Sequence, residues 1–188
     1  TLFFEGDKEN SVGTSSVSTL INKTSKLEGL ASNKLSYTFS EANGEAVYVA
    51  DDVAAIQGNS QSTLGMYVFA NYSFNTLYAK WAVEGDIKYT KICDLDYAGW
   101  LYQEADMSEL PAGVDYQFMG LRLVRQSSFL SQKGEFHVDA LRVQFEPTPT
   151  DVENVETTTP AQNKVIENGY LNILLNGVKY NVQGATIK

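Results

Sequence analysis

Apolar and polar residues alternate along most of this chain in short runs, and the alternation predicts β-strands. The runs are rich in β-branched and aromatic residues and end at turn residues such as Asn43-Gly44 and Gly85-Asp86. The predicted strands cover residues 35–39, 46–49, 64–70, 77–83, 116–124 and 135–145. Several short strands at this spacing indicate an all-β fold, specifically an antiparallel β-sandwich of the jelly-roll type.

The last predicted strand breaks its alternation in the middle. Phe136 and Val138 share one face, whereas the next apolar residues, from Leu141 onward, have the opposite parity. One extra residue at Asp139-Ala140 would keep both sets in the core. We therefore predict a β-bulge at this point, which would also turn the Asp139 carboxylate to a new direction.

Residues 147–163 differ in composition from the rest of the chain. They contain three of its four prolines, five threonines and three acidic residues, with no basic residue. This composition predicts an extended linker. Residues 1–146 in front of it form the predicted sandwich.

Residues 164–188 carry two hairpin signals. Asn168-Gly169 and Asn176-Gly177 separate three apolar segments, so we predict a small three-stranded β meander. The segment also resembles the C-terminal sorting tails of Bacteroidetes proteins exported by type IX secretion. The resemblance implies a secreted protein of the periplasm or cell surface, and the alternative is an ordinary terminal hairpin.

Composition and charge exclude some classes of binding partner for this protein. The 188 residues include 14 basic and 23 acidic side chains, a formal charge of −9, and no cluster of Lys or Arg stands out. Nucleic acids and anionic membranes are therefore disfavoured as partners. Apolar stretches are far shorter than the roughly 20 residues needed to span a bilayer, so no transmembrane segment is predicted. The single His137 excludes a metal site built from several histidines.

Several segments resemble jelly-roll carbohydrate-binding modules and galactose-binding-like domains. Residues 3–7 (FFEGD) are similar to the opening strand of those modules, residues 95–100 (LDYAGW) to their Gly-Trp segment, and residues 134–143 (GEFHVDALRV) to their closing strand. The runs starting at Lys34 and Leu64 resemble versions appended to secreted bacterial glycosidases, including phosphodiester glycosidases. The resemblance implies a non-catalytic carbohydrate-binding or accessory module.

The same resemblance implies a structural calcium ion. In many such modules the opening Glu and the closing Asp bind Ca²⁺ together with backbone carbonyls, and the matching residues here are Glu5 and Asp139, with Asp7 as a further ligand. Calcium accepts six to eight oxygen ligands in irregular geometry. The chain departs from the family pattern at Ala140, where the family has a second Asp. The alternative is that Asp139 is a hydrogen-bonded or solvated strand carboxylate.

Sugar recognition needs exposed aromatic rings together with amides, carboxylates or arginines. The loop at residues 71–75 offers two aromatic rings at positions where the family has glycines, and these rings would form a platform or pack against a neighbouring domain. Trp81 and Trp100 are expected in the core. The candidate ligand-binding residues are Tyr72, Phe74, Tyr97, Tyr102, Arg122 and Arg125.

We predict no catalytic residue. Asp94 and Asp96 are candidate paired carboxylates for glycoside hydrolysis, as are Asp51 and Asp52, but solvated acids explain all four. Together with the resemblance to carbohydrate-binding modules, this predicts a non-catalytic carbohydrate-binding or accessory module. One alternative is a structural or interaction domain that packs against a neighbouring catalytic domain without affinity for glycans, and a weaker one is a glycoside-active enzyme.

Overall fold

The computed structural model describes residues 2–51, 57–59, 62–145, 163–167, 170–175 and 178–180. The chain divides into two units, Thr1–Pro147 and Thr148–Lys188. The described residues form β-strands and one short 3-10 helix, Met107–Glu109, which confirms the predicted all-β class. No helix in the described ranges is long and apolar enough to cross a membrane.

The strands of the first unit are β1 Phe4–Val12, β2 Thr14–Asn22, β3 Ser32–Phe39, β4 Glu45–Ala50, β5 Gln57–Asn59, β6 Ser62–Asn71, β7 Thr76–Val83, β8 Asp86–Asp94, β9 Ala98–Glu104, β10 Asp115–Val124 and β11 Lys133–Phe145. They form two antiparallel sheets. Sheet A has the order β1-β4-β10-β7-β8, with β5 also paired to β10, and sheet B has the order β2-β3-β11-β6-β9. This confirms the predicted antiparallel sandwich.

The second unit contains a three-stranded antiparallel sheet. Its strands are β12 Asn163–Glu167, β13 Tyr170–Leu175 and β14 Val178–Tyr180. The predicted linker up to residue 162, both Asn-Gly turns and the end of the predicted sorting tail lie outside the described residues.

The core fills the space between the two sheets with alternate side chains from each. Tyr48 of sheet A meets Phe136 of sheet B edge to face, with ring centroids 5.7 Å apart. Trp81 is fully buried, as predicted, and its ring lies 5.5 Å from that of Phe118. The Trp81 indole Nε1–H donates a hydrogen bond of 2.8 Å to the buried Thr90 hydroxyl. The largest side chains of the core are therefore both packed and satisfied in their hydrogen bonding.

The predicted bulge in β11 is confirmed. The pairing of β11 with β6 shifts register between Asp139 and Arg142, and Ala140 adopts a φ of 50°. The bulge turns the Asp139 carboxylate toward the loop that follows β2. There its Oδ2 accepts hydrogen bonds from the backbone N–H groups of Leu27 at 2.7 Å and Glu28 at 2.9 Å.

The prediction that Trp100 belongs to the core is wrong. Trp100 lies on the edge strand β9 and is only half-buried, on the outer face of sheet B. It pairs in register with Phe69, and their rings meet edge to face at 5.6 Å. Most side chains of this edge strand are exposed on both faces, so its sequence lacks the alternation that distinguishes core from surface. The Gly-Trp pattern alone therefore did not show whether the Trp100 ring would face the core or the solvent.

Candidate functional site

Sheet A presents aromatic and charged side chains on its outer face. On β7 the side chains of Leu77, Ala79 and Trp81 are buried. Because successive side chains of a strand point to opposite faces, Tyr78 and Lys80 between them point outward. Tyr78 was not among the predicted binding residues, although this alternation is a sequence signal for an exposed tyrosine on β7.

The neighbouring strands add to the same face. On β8, Thr90 is buried, so Tyr89 and Lys91 on either side of it point outward. On β10, Arg122 pairs in register with Tyr78 and lies on the same side. We call this group the sheet A face, and it comprises Glu45, Tyr78, Lys80, Tyr89, Lys91 and Arg122.

Arg122 lies at the centre of the sheet A face. Its guanidinium carbon is 4.2 Å from the centroid of the Tyr89 ring and 5.7 Å from that of Tyr78. Its Nη2 donates a hydrogen bond of 2.7 Å to Oε1 of Glu45, with which it forms an ion pair. Two aromatic rings and a carboxylate therefore hold the planar cation in one orientation.

The buried Nε of Arg122 finds no hydrogen-bond partner in the described part of the chain. An arginine fixed only for stability would normally satisfy such a group. The two rings and Glu45 therefore determine the orientation of the guanidinium, even though this orientation leaves one of its N–H donors without a partner.

A second ion pair borders the face. The Lys91 ammonium donates to Oδ2 of Asp94 at 2.6 Å, and the Thr76 hydroxyl donates to Oδ1 at 2.7 Å. Partial burial opposes ionisation of Asp94, but these two hydrogen bonds outweigh it and lower the pKa of Asp94. Asp94 is therefore an ionised partner of Lys91 at neutral pH.

Two other candidate ligand-binding residues already use their polar groups in hydrogen bonds within the fold. Arg125 is buried, and its guanidinium donates to the backbone carbonyls of Glu41, Ser128 and Leu130 at 2.9–3.1 Å, which ties two loops together. Tyr97 packs against the core, and its hydroxyl donates to the carbonyl of Val68 at 3.1 Å. Burial raises the pKa of the Tyr97 hydroxyl.

Tyr102 lies on the outer face of sheet B. Its ring meets that of Tyr67 at 5.3 Å and covers Gly65, where a Cβ would collide with the Tyr102 hydroxyl. Phe69 and Trp100 lie on the same face of the same strands. Tyr67 and Phe69 were not among the predicted binding residues, although they alternate along β6 with buried Met66 and Val68.

The last two candidates, Tyr72 and Phe74, lie together in the loop between β6 and β7 and are both exposed. The six candidate residues therefore do not form one site. Arg122 is on sheet A, Tyr102 is on sheet B, Tyr72 and Phe74 are on a loop, and Tyr97 and Arg125 are engaged within the fold.

Two of the three predicted calcium ligands accept hydrogen bonds from the protein, and the third is exposed. Asp139 already accepts three backbone N–H bonds, from Leu27, Glu28 and Ala140. Asp7 accepts bonds from the backbone and side chain of Asn10, and Glu5 is exposed on β1. No group of three or more His, Cys, Asp or Glu placed to hold a metal occurs among the described residues. Calcium at these positions stays a prediction.

Comparisons with known proteins place the fold. No protein-family model matches the chain, and no curated protein matches it. A carbohydrate-binding module of the β-sandwich superfamily, described for its promiscuous specificity, superposes with a TM-score of 0.51 at 11% identity, covering 75% of this chain and 56% of that one. At this identity the likeness shows the fold alone, and the fold is the β-sandwich of that module.

Two modules of Clostridium thermocellum are also similar. A family 11 carbohydrate-binding module of a cellulosomal cellulase gives a TM-score of 0.48 at 13% identity, covering 77% of this chain and 88% of that one. A C-terminal family 22 module gives 0.44 at 11% identity, covering 74% and 87%.

Proposed function

We propose that this chain binds carbohydrate on the sheet A face. The observation that carries the proposal is the Arg122 guanidinium held beside the Tyr89 ring and paired with Glu45. Tyrosine rings can stack on the C–H-rich faces of sugars, while guanidinium and carboxylate groups can hydrogen-bond to neighbouring hydroxyls. The β-sandwich fold shared with a carbohydrate-binding module supports a carbohydrate-binding function.

We propose further that the module binds without catalysis. Glycoside hydrolysis needs a carboxyl group kept protonated as a general acid, usually through a raised pKa. On the sheet A face, Glu45 is ion-paired with Arg122. At the border of this face, Asp94, whose pKa is lowered, is paired with Lys91. Asp94 is therefore stabilised in the charged form, and Glu45 is engaged by the Arg122 guanidinium, an arrangement that suits hydrogen bonding to a ligand.

The setting of the module is proposed from the sequence resemblances. We propose that the chain is exported to the periplasm or cell surface and serves a neighbouring catalytic domain, such as a glycosidase. The tail at residues 164–188 and the runs starting at Lys34 and Leu64 support this setting.

A second candidate function is an interaction domain that packs against a catalytic domain and has no glycan affinity. The outer face of sheet B favours it, because Tyr67, Phe69 and Trp100 are half-buried rings grouped there with the exposed Tyr102. Apolar groups clustered on an outer face are typical of an interface.

A glycan array followed by electrophoresis in gels containing the polysaccharides that bind separates the two functions. The wild type is expected to be retarded, and the Arg122→Ala variant to lose most of the retardation. Arg142→Ala is the matched control, because it removes the same charge from an ion pair with Glu28 that lies away from sheet A. Absence of binding to every glycan, or equal retardation of both variants, would contradict binding on the sheet A face.

A further inference from the structure

The loop between β6 and β7 displays two aromatic rings side by side. Tyr72 and Phe74 are 55% and 51% exposed, and their rings lie 29° from parallel with centroids 6.2 Å apart. Rings of this size are normally buried or packed against neighbours. The two stacked, half-exposed rings therefore form a small aromatic patch on the surface, which we call the loop platform.

The backbone under the loop platform is strained. Tyr72 has a φ of 49° and Phe74 a φ of 60°, in the left-handed region that bulky residues rarely adopt. Such conformations persist only where the surrounding structure imposes them, and they concentrate at functional sites. Glycine would fit both positions without strain, so the two rings are kept at a cost to the backbone.

Backbone hydrogen bonds fix each of the strained residues. The Tyr72 N–H donates to the carbonyl of Tyr97 at 2.9 Å, and the Phe74 N–H donates to the carbonyl of Leu95 at 3.0 Å. Both acceptors belong to the segment between β8 and β9. The two ring-bearing residues are therefore tied to one neighbouring segment.

The residues that alternate with the rings are anchored inside the protein. Ser73 is 7% exposed and Asn75 is fully buried. The Asn75 amide donates to the Tyr37 hydroxyl at 3.1 Å and to the Ser131 carbonyl at 3.0 Å, and the Ser131 N–H donates back to the carbonyl of Ser73. Buried anchors on either side of Phe74 hold the rings outward, so their orientation exists before any ligand arrives.

We infer that the loop platform is a second glycan-binding site, separate from the sheet A face. It takes the flat, C–H-rich face of a neutral polysaccharide chain. The loop sequence Asn-Tyr-Ser-Phe-Asn at residues 71–75 carries no charge, in contrast to the ion pairs of the sheet A face. Two sites on one module raise the retention on a polymer above that of either site alone.

The test replaces both rings with the residue that the backbone favours. In the Tyr72→Gly/Phe74→Gly variant, glycine relieves the two positive φ angles, so the melting temperature is expected to stay the same or rise. Binding to an insoluble neutral polysaccharide is expected to weaken about fivefold or more, because both apolar ring contacts with the ligand are lost. A structural role for the rings would instead lower the melting temperature.

Four proteins separate the two sites: the wild type, Arg122→Ala, the double glycine variant, and the combination. The loop platform requires a loss on removing the rings in the Arg122→Ala background as well as in the wild type. The Leu20→Ala/Leu30→Ala variant is the control, since it removes two apolar side chains that are 64% and 84% exposed elsewhere. This control is expected to bind as the wild type does.

Each remaining outcome is decisive. Unchanged retention on removing the rings overturns the loop platform and leaves the sheet A face standing. Unchanged retention in Arg122→Ala, with loss in the double glycine variant, keeps the loop platform and overturns the sheet A face. If the wild type binds a phenyl matrix through these rings but no polysaccharide, the platform is a protein-docking surface and the inference is wrong.

Discussion

The guanidinium carbon of Arg122 lies 4.2 Å from the centre of the Tyr89 ring on the outer face of sheet A. Glu45 holds the same guanidinium from another side at 2.7 Å. A long side chain that is already ordered loses less conformational entropy when a ligand binds. The arrangement therefore favours recognition by a preformed surface over recognition by a mobile loop.

Arg122→Ala is expected to remain folded, which keeps its binding result interpretable. The ion pair with Glu45 is partly exposed to solvent, with side-chain exposures of 21% and 31%, so it contributes at most about 1 kcal/mol. The contact with Tyr89 adds about 0.5–1 kcal/mol. Urea denaturation is expected to show a loss of less than about 2 kcal/mol, with the cooperative transition retained. Loss of that transition would mean that Arg122 is a core element of the fold.

Thr90→Val tests the buried hydrogen bond from Trp81. The variant keeps the shape of the side chain and removes the acceptor, so the fully buried indole N–H is left without a partner. The expected loss in the free energy of unfolding is about 1–3 kcal/mol. Thr38→Val, half-buried on β3, is the matched control and is expected to change stability by less than about 0.5 kcal/mol. Equal stability of the two variants would show that the hydrogen bond contributes nothing.

Asp139→Ala tests how the bulge is held. The variant leaves the N–H groups of Leu27, Glu28 and Ala140 without their acceptor, so we expect a loss of about 1–3 kcal/mol. Calcium at Asp139 is tested separately: if the predicted ion is bound, the melting temperature of the wild type should fall in EDTA and recover when calcium is added. Equal melting temperatures with and without EDTA would contradict the structural ion predicted at Glu5, Asp7 and Asp139.

The sequence pattern predicted strands with one buried face better than strands whose side chains are mostly exposed. The strands around Leu35, Tyr48 and Trp81 were found because they alternate regularly and bury one face. β2 and β9 were not, because most of their side chains are exposed and the pattern is weak. The β11 bulge was found because its apolar residues change parity on both sides of Asp139.

The candidate site was predicted only in part. Arg122 was selected, but its partners Glu45, Tyr78 and Tyr89 come from three other strands, and no spacing along the chain records that pairing. A register shift in β10 next to Gly120 also changes which residues of that strand face outward. Residue type was enough to select Arg122 as a candidate binding residue. Its partners could be identified only from the pairing of the strands in the structure.

His137 makes stability depend on pH. It is 5% exposed, and burial, reinforced by the nearby Lys34 ammonium, lowers its pKa, although Glu135 opposes the shift. The unfolded chain, with an ordinary pKa of about 6.5, therefore takes up a proton more readily than the folded protein. Stability is expected to be full above about pH 6.5 and to fall as the pH decreases below it.

His137→Gln is expected to flatten the melting temperature between about pH 7 and 5. A decrease at lower pH should remain, because the pKa of Glu135 is lowered by the hydrogen bond from Lys34, and its stabilising charge is lost only as that carboxylate is protonated. Thermal melts across this range compare the variant with the wild type. Identical curves from pH 7 to 5 would show that His137 does not titrate differently on folding.

Carbohydrate binding on the sheet A face is tested most directly by NMR chemical-shift mapping. A glycan selected by array screening is titrated into the isotopically labelled protein at a fixed pH. We expect the largest shift changes at Tyr78, Tyr89 and Arg122 and at their neighbours on β7, β8 and β10, and these changes should disappear in Arg122→Ala. Changes confined to sheet B, or no change with any glycan, would contradict the account.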